Sequence, residues 1–299
     1  MKKAAIILLL LTIIAVQMKP QMKEAYKVSG YIVKERLTSE NKDNERVIRD
    51  ISQNDLVVVQ GTYDHIHLVL SSLKLPYIEI SQNQLKNVKL KPHQTVFVNC
   101  ASGFPAEEAR RLASFVAEGG QLITTDWALR NVLEVAFPEY VSYNEKPTRD
   151  EVVRIEVIDK TDDVVKGFLD EKTEPVWWLE GSSYPIKIKD KEKVKVLIRS
   201  KELKNKYGEE AVLIKFNYGK GVVYHMISHF YLQRTETKDT RQKSNASNYL
   251  KDKNAGSIQN NKEVMEQMEE LDYGSVQSAN TSSEFIMRAV INQKNKNSK

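Results

Sequence analysis

Three residues of this chain combine a side chain suited to nucleophilic or acid–base chemistry with a position after an expected strand: Cys100, Asp126 and His229. A cysteine thiol becomes a nucleophile when a histidine or a helix N-terminus stabilises its thiolate. An aspartate can act as a general base or bind a polar group. Each of the three follows an apolar segment that is typical of a β-strand, and open parallel sheets bind ligands beyond the carboxyl ends of their strands. We therefore expect them near one sheet edge, where Cys100 or Asp126 could act with His229 in a hydrolase-like centre.

Each of these residues also has a purely structural interpretation. An unpaired cysteine is most often a small buried residue that packs well in a strand. Asp126 could be the N-cap of a helix that begins at Trp127. His229 and His225 have the same parity along an expected strand and could be satisfied structural histidines. Because no carboxylate follows either histidine at ligand spacing, we predict no metal site.

A second set of residues follows the expected strands and could bind a ligand without reacting with it. Backbone N–H groups of the loop after Cys100 could face an anion, and an aromatic ring could stack on a sugar or another flat ligand. These ligand-binding candidates are Gly61, Tyr63, Ser102, Gly103, Thr125 and Trp127. The sequence contains no phosphate loop, dinucleotide fingerprint, zinc cysteine set or nucleic-acid-binding motif. We therefore predict no cofactor and no nucleic-acid partner, and an unknown small molecule or protein as the ligand.

The elements that must position these residues lie mainly between Thr95 and Phe137. This stretch has the pattern of a strand, a crossover helix, a strand and a second helix. The double glycine at Gly119 and Gly120 should end the first helix, since glycine adopts left-handed backbone without a steric penalty. A strand–helix–strand unit requires parallel pairing with a right-handed crossover. Farther along, segments 211–216 and 222–227 flank a turn and predict an antiparallel hairpin. The predicted fold is α/β: a flavodoxin-like three-layer sandwich whose mostly parallel sheet carries an added antiparallel hairpin.

Four sequence segments resemble the class I glutamine amidotransferase-like fold, in particular its trehalose-utilisation-type and other non-amidotransferase branches. They are DLVVVQG at 55–61, TVFVNC at 95–100, FVAEGGQLITTD at 115–126 and FNYGKGVVYHMISH at 216–229. The resemblance covers about residues 55–231 together with the helix expected at 284–292.

Two departures from that family concern its catalytic residues. The amidotransferases carry a Gly-x-Cys-x-Gly nucleophile elbow where this chain has Thr124, Thr125, Asp126 and Trp127. The family's His-x-Glu pair is missing as well, because His229 is followed by Phe230 and Tyr231. The resemblance therefore implies the fold without glutamine amidotransferase activity.

The amino-terminal residues 1–18 resemble a leader segment. Lys2 and Lys3 precede an apolar run from Ala4 to Val16, which is the layout of a secretory signal. We predict either a cleaved signal peptide or an uncleaved N-terminal membrane anchor, with the body of the protein outside the cytoplasm.

The remaining segments complete the predicted organisation. We predict a tether with a short helix for residues 19–54 and a tail for residues 293–299. Segment 232–283 is rich in Lys, Asn, Gln and Ser, so we predict a largely disordered insertion with too little apolar surface to offset the entropy of ordering.

Composition limits the class of protein but not its activity. The chain has 299 residues, of which 28% are charged and 41% hydrophobic, with a net charge of +5, as in an ordinary globular body. Its single cysteine excludes an intrachain disulfide. Since the elbow nucleophile is missing, we expect a non-catalytic binding or scaffold module, outside the cytoplasm or membrane-anchored. The alternative is a hydrolase-like enzyme that uses Cys100 or Asp126 with His229.

Overall fold

The computed structural model describes residues 2–169, 175–232, 240–253 and 255–296, with side chains from Gln21 onward. The strands are β1 (Leu56–Val59), β2 (Ile78–Ile80), β3 (Thr95–Asn99), β4 (Gln121–Thr125), β5 (Val141–Tyr143), β6 (Glu151–Arg154), β7 (Glu156–Val157), β8 (Val176–Leu179), β9 (Ile186–Ile188), β10 (Lys195–Arg199), β11 (Ala211–Tyr218) and β12 (Gly221–Met226). The α-helices are α1 (Lys2–Glu40), α2 (Asp43–Arg49), α3 (Ile66–Ser72), α4 (Ala106–Glu118), α5 (Glu134–Ala136), α6 (Lys201–Tyr207), α7 (Ser247–Asp252), α8 (Lys262–Glu269) and α9 (Tyr273–Lys296).

One mixed sheet organises the molecule. Its strand order is β2-β1-β3-β4-β12-β11-β10-β7, with β9 pairing β11 and β5 pairing β9. The first five strands of this order run parallel to one another. The strands β11, β10 and β7 continue the sheet in antiparallel pairs. The predicted α/β fold, with a mostly parallel sheet and an antiparallel hairpin, is therefore confirmed. In the described part of the chain, β6 and β8 form a separate antiparallel ribbon.

The parallel strands are short and apolar because both of their faces are covered. Every residue of β1, β3 and β4 is buried, as expected for strands between layers of helices. Helix α4 turns its predicted apolar face inward, with Ala109, Leu112 and Val116 buried. It ends at Gly119, whose φ of 127° is accessible to glycine and strained for other residues.

For residues 19–54 we predicted a tether with a short helix; helix α1 occupies this segment as far as Glu40, and the short helix α2 follows it. It runs unbroken from Lys2 to Glu40 and packs along α9. The reason is apolar periodicity: Met22, Tyr26 and Val33 lie on the packed face and are buried. Among the described residues, no helix has the length and apolar character needed to cross a membrane.

The segment 232–283 also differs from its prediction. In its described parts it contains α7, α8 and the start of α9, where we expected a largely disordered insertion. Its few apolar residues are well placed: Tyr249, Val264 and Met268 are buried against neighbouring helices. Packing against α1 and α9 supplies the apolar partners that the segment lacks on its own. Residues 233–239 and 254 lie outside the described residues.

The predicted tail is partly helical. Residues 293–296 belong to α9, and Gln293 Nε2 donates to the carbonyls of Pro92 (2.9 Å) and Gly119 (3.0 Å). Residues 297–299 lie outside the described residues. Near the same end of α9, Lys294 Nζ lies 2.8 Å from Asp55 Oδ2, which ties the helix to the start of β1.

The pair of Asp55 and Lys294 predicts a pH-dependent contribution to stability. Burial alone would raise the pKa of Asp55, but hydrogen bonds from Lys294 and Ser52 outweigh burial and hold this pKa below its ordinary value. A carboxyl group with a lowered folded-state pKa stabilises the fold above its unfolded-state pKa, and this contribution disappears as pH falls through the folded-state pKa. We expect Asp55→Asn to lower the free energy of unfolding by about 1 kcal/mol at neutral pH and by less at pH 3, which lies below the unfolded-state pKa. Urea unfolding at both pH values measures the difference.

The control for this experiment is Lys294→Met. If the pair is responsible, Asp55→Asn should cost less at neutral pH in the Lys294→Met background than in the native chain. An equal loss at both pH values would instead show that the substitution acts through something other than charge.

Candidate functional site

Three neighbouring parallel strands end at the same edge of the sheet. Asn99 of β3 is paired with Thr125 of β4, which is in turn paired with Met226 of β12. Cys100 and Asp126 are the residues that immediately follow β3 and β4, while His229 lies three residues beyond Met226. The register of the sheet therefore brings these loops together.

The three side chains singled out from the sequence meet at this edge. His229 Nε2 lies 3.1 Å from Asp126 Oδ2, and Cys100 Sγ lies 3.8 Å from the same oxygen. One ligating atom from each residue falls within 4.8 Å of the others. Cys100 is 1% exposed, Asp126 2% and His229 4%. The side chains thus form one compact, buried polar cluster, hereafter the Cys–Asp–His cluster.

The backbone at this edge is strained in two places. Cys100 has a φ of 46° and Asp126 a φ of 51°, in the left-handed region that non-glycine residues rarely adopt. Cys100 N donates to Thr125 O (3.0 Å), and Asp126 N donates to Met226 O (3.0 Å). These bonds hold two sharp strand-to-loop turns, which aim both side chains at His229. The N-cap interpretation of Asp126 is wrong. The N-cap position of the following π-helix (Leu129–Leu133) is Ala128, and no side chain makes a capping hydrogen bond to this helix.

Two acidic residues of the site were not selected from the sequence. Glu180 Oε2 lies 2.9 Å from His229 Nδ1, so the imidazole stands between two carboxylates. Asp64 Oδ2 accepts from Thr125 Oγ1 (2.9 Å) and from Phe230 N (3.3 Å). Glu180 follows β8, which belongs to the separate ribbon, so a rule based on one sheet could not find it.

The loop that carries His229 is held on both sides. Trp177 Nε1 donates to Ser228 Oγ (2.8 Å), which donates to Trp178 O (2.7 Å). After His229, Tyr26 Oη of α1 donates to Phe230 O (2.6 Å). Trp177 is fully buried, so it is a packing residue that fixes the loop.

Burial and mutual contact set the protonation of the cluster. Burial raises the pKa of the Cys100 thiol, and contact with His229 only partly offsets this effect. Burial also raises the pKa of Asp126 and of Asp64 despite favourable contacts with His229. For His229, burial alone would lower the pKa, but Asp126, Cys100 and Glu180 raise it well above its ordinary value. Burial thus favours the neutral forms of Asp126, Asp64 and the Cys100 thiol, while the contacts of His229 favour its charged form.

His225 is separate from this site. The strand β12 ends at Met226, so His225 and His229 do not share one strand face. His225 is fully buried with its Nδ1 2.8 Å from Thr124 Oγ1, and burial lowers its pKa to about 3. It is a neutral structural histidine.

The predicted ligand-binding residues lie around the cluster with different exposures. Gly61 makes a close approach that only glycine allows, because a Cβ there would lie 1.8 Å from Asn99 O. Thr62, next to it, has its Oγ1 2.6 Å from Ser102 Oγ, and both side chains are exposed. Gly103 is exposed with a φ of 62°. Thr125 is fully buried and supports Asp64.

The two predicted aromatic residues stand at the rim of the site. Tyr63 is 58% exposed and meets Trp127 edge-on, with ring centroids 5.4 Å apart. Trp127 is half-buried, stacks beside Tyr184 and donates from Nε1 to Ser182 O (2.8 Å). The structure thus places a partly exposed aromatic pair beside a buried polar cluster.

Comparison with known proteins gives distant similarities only. No family model matches the chain, and no curated protein matches it. Among solved structures, the exo-β-1,4-mannosidase Op5Man5 from Opitutaceae bacterium strain TAV5 has a TM-score of 0.39 and 13% identity, covering 61% of this chain and 32% of that one. The cytoplasmic protein STM3548 from Salmonella typhimurium has a TM-score of 0.41 and 12% identity, covering 59% and 87%. A β-galactosidase from Bacillus circulans sp. alkalophilus has a TM-score of 0.38 and 13% identity, covering 76% and 34%.

The chain therefore spans about a third of the length of the mannosidase that it resembles. Similarity at this level transfers no activity, since one architecture hosts many functions. The fold and the site define an α/β protein with a strained, buried Cys–Asp–His cluster at the carboxyl ends of parallel strands.

The burial of Cys100 predicts a low reactivity of its thiol. Cys100 is the only cysteine of the chain, so thiol-specific labelling reports on this residue alone. Because the thiol is buried and its pKa is raised, we expect labelling of the folded protein at neutral pH to be at least about 100-fold slower than labelling in urea. Stopped-flow absorbance with a disulfide reagent measures both rates. Labelling of the folded protein at the urea rate would contradict the burial described here.

Proposed function

We propose that this chain is a hydrolase-like enzyme whose reactive centre consists of Asp126, His229 and Glu180. The observation that carries the proposal is the position of His229, whose two ring nitrogens each lie within 3.1 Å of a carboxylate oxygen. In nucleophile–histidine–acid centres, one acid orients the imidazole and the other ring nitrogen faces the reacting group. Glu180 has the position of the orienting acid, and Asp126 has the position of the reacting group or of the base that activates water.

Asp126 is a better candidate than Cys100 for the reacting side chain. It occupies a sharp turn between a parallel strand and a helix, the place where many α/β enzymes hold a nucleophile. The left-handed φ of Asp126 keeps its carboxylate beside His229. Burial raises the pKa of the Cys100 thiol above its ordinary value, so the thiolate needed for nucleophilic attack is scarce at neutral pH.

The second candidate function is a non-catalytic binding module for a small molecule or a protein. The observation that favours it is the contrast between the buried cluster and its exposed rim. Asp126 and His229 are each less than 5% exposed, whereas Tyr63 is 58% exposed. A ligand that stacks on Tyr63 and Trp127 would reach Glu180 at the mouth of the cluster without any bond change.

For the fold family, we propose a flavodoxin-like three-layer sandwich of the class I glutamine amidotransferase-like type. The order of the parallel strands supports it, since β2-β1-β3-β4-β12 corresponds to the flavodoxin order 2-1-3-4-5. Two groups of helices also support it: α1, α3 and α9 contact one another, while α4 contacts α5. Asp126 stands where the amidotransferases have a cysteine, so the proposal does not include glutamine amidotransferase activity.

For localisation, we propose that the body lies outside the cytoplasm and that residues 1–18 are a cleaved signal or a membrane anchor. The support is the pair Lys2 and Lys3 before an apolar run. The buried residues Met22, Tyr26 and Val33 of α1 lie beyond this segment. Removal of residues 1–18 would therefore leave the docked part of the helix in place.

The catalytic proposal predicts the loss of hydrolysis in two variants. With p-nitrophenyl acetate as a generic activated ester, we expect kcat/KM to fall by about 10²- to 10⁴-fold in Asp126→Asn and in His229→Gln, because each removes one partner of the acid–base pair. Absorbance of released p-nitrophenol measures the rate, and circular dichroism checks that each variant is folded.

The matched control is His67→Gln, which removes a partly exposed imidazole 3.9 Å from Glu79 and away from the cluster. It should hydrolyse the ester as the native chain does, because surface histidines contribute only background esterolysis. Equal rates in all four proteins would reject the enzyme and leave the binding module.

The localisation proposal predicts protease accessibility from outside the cell. When the full chain is expressed in a bacterial host, protease added to intact spheroplasts should degrade the body while a cytoplasmic marker stays intact. Immunoblotting follows both proteins, and the mass of the N-terminal peptide distinguishes cleavage from anchoring. Degradation only after lysis would place the body in the cytoplasm.

A further inference from the structure

The Cys–Asp–His cluster contains three donor atoms of different chemistry at ligand spacing. Two ligands of one tetrahedral zinc ion, bound at about 2.0–2.3 Å, lie roughly 3.3–3.8 Å from each other. In the cluster, His229 Nε2 lies 3.1 Å and Cys100 Sγ 3.8 Å from Asp126 Oδ2. These two separations are close to that range, and all three donor atoms lie within 4.8 Å of one another.

Unpartnered polar atoms give independent support. Three atoms lack a hydrogen-bond partner among the described residues although they are buried: His229 Nε2, Asp126 Oδ1 and Asp64 Oδ1. For His229 Nε2, the short distance to Asp126 does not have the alignment of a hydrogen bond. Leaving a buried polar atom without a partner costs about 1–3 kcal/mol. His229 Nε2 belongs to the donor set itself and would be satisfied by an ion, and Asp126 Oδ1 is the second oxygen of the carboxyl group whose Oδ2 is in the set.

The balance of charge points in the same direction. Asp64, Asp126 and Glu180 are three carboxyl groups around one imidazole, and the first two are almost fully buried. Buried charges require a counter-charge or a metal ion. His229 is the only basic side chain that contacts these acids among the described residues. A divalent cation would favour the charged forms of Asp64 and Asp126, which burial alone disfavours.

The donor types select the kind of ion. A thiolate, an imidazole nitrogen and a carboxylate oxygen together suit Zn²⁺ or a similar divalent transition ion better than Mg²⁺ or Ca²⁺, which prefer oxygen ligands. Three protein ligands leave a fourth position for water or substrate, as in catalytic rather than structural zinc sites. Glu180 Oε2 lies 2.9 Å from His229 Nδ1. A metal-binding histidine usually has such a carboxylate at its other ring nitrogen, which orients the ring.

We infer that Cys100, Asp126 and His229 form a three-ligand site for Zn²⁺ or a similar divalent transition ion, with Glu180 orienting His229. The inference rests on the proposed function for the choice of site, and with an ion bound Asp126 would be a ligand instead of the reacting group. The inference replaces our prediction from sequence that the chain has no metal site, because the ligands come from three strand ends far apart in the chain. An ion there would supply a polarised water to the hydrolase-like centre.

The test uses the full chain, stripped of metal by a chelator and titrated with Co²⁺. We expect one equivalent of Co²⁺ to produce visible d–d bands of tetrahedral intensity and a near-ultraviolet thiolate-to-cobalt band. Competition with Zn²⁺ should remove both. Cys100→Ser should lose the thiolate band, His229→Gln and Asp126→Asn should bind more than about 100-fold more weakly, and Glu180→Gln about 10- to 100-fold more weakly. The control His67→Gln should bind as the native chain does.

Two outcomes would overturn the inference. One is the absence of a stoichiometric cobalt spectrum from the native chain, which needs no variant and therefore does not depend on variant folding. The other is a spectrum unchanged in both Cys100→Ser and His229→Gln, which would place the ion elsewhere. The ester assay separates this inference from the proposed function. Hydrolysis by metal-free protein without a cobalt spectrum rejects only the ion, while a cobalt spectrum without hydrolysis rejects only the enzyme.

Discussion

The parallel pairing of β3, β4 and β12 is the constraint on which the site depends. Asn99, Thr125 and Met226 lie in register across three neighbouring strands, so the residues that follow them leave the sheet at one edge. A slip of one residue would reverse which face every side chain of the strand occupies. All residues of β3 and β4 are buried, and a slip would separate buried polar groups from their partners, such as Gln121 from Thr95 and Thr125 from Asp64. The core of the sheet therefore sets the distances between Cys100, Asp126 and His229.

Several features of the cluster are unfavourable for folding, and contacts with the surrounding structure offset them. Strained backbone at Cys100 and Asp126 and buried carboxylates at Asp64 and Asp126 all oppose folding. A rigid frame holds them: Trp177 anchors Ser228, and Tyr26 anchors Phe230 on either side of His229. Such preorganised, strained and charged arrangements are concentrated at functional sites. The cluster therefore has the features of a functional site rather than those of an ordinary core contact.

Helices α1 and α9 form a helical unit from which Tyr26 of α1 contacts the loop of His229. Helices α1 and α9 pack along each other, and the buried guanidinium of Arg288 joins them. Its Nη2 lies 2.7 Å from both Glu284 Oε1 and Glu40 Oε1. Glu284 is fully buried and also contacts Arg36. Breaking a buried, paired network leaves an uncompensated charge, so this network fixes the position of α1, whose Tyr26 reaches the loop of His229.

The sequence by itself determined the local elements: the strands at 95–99 and 121–125, the helix between them, the hairpin at 211–226 and the candidates Cys100, Asp126 and His229. Apolar periodicity and glycine placement are local properties, so they can be read without contacts. Only the tertiary structure decided that α1 and segment 240–283 are packed helices, since their apolar residues gain partners from distant parts of the chain. It also added Glu180 and Asp64 to the site, because proximity across separate strands depends on the register of the sheet and the path of its loops.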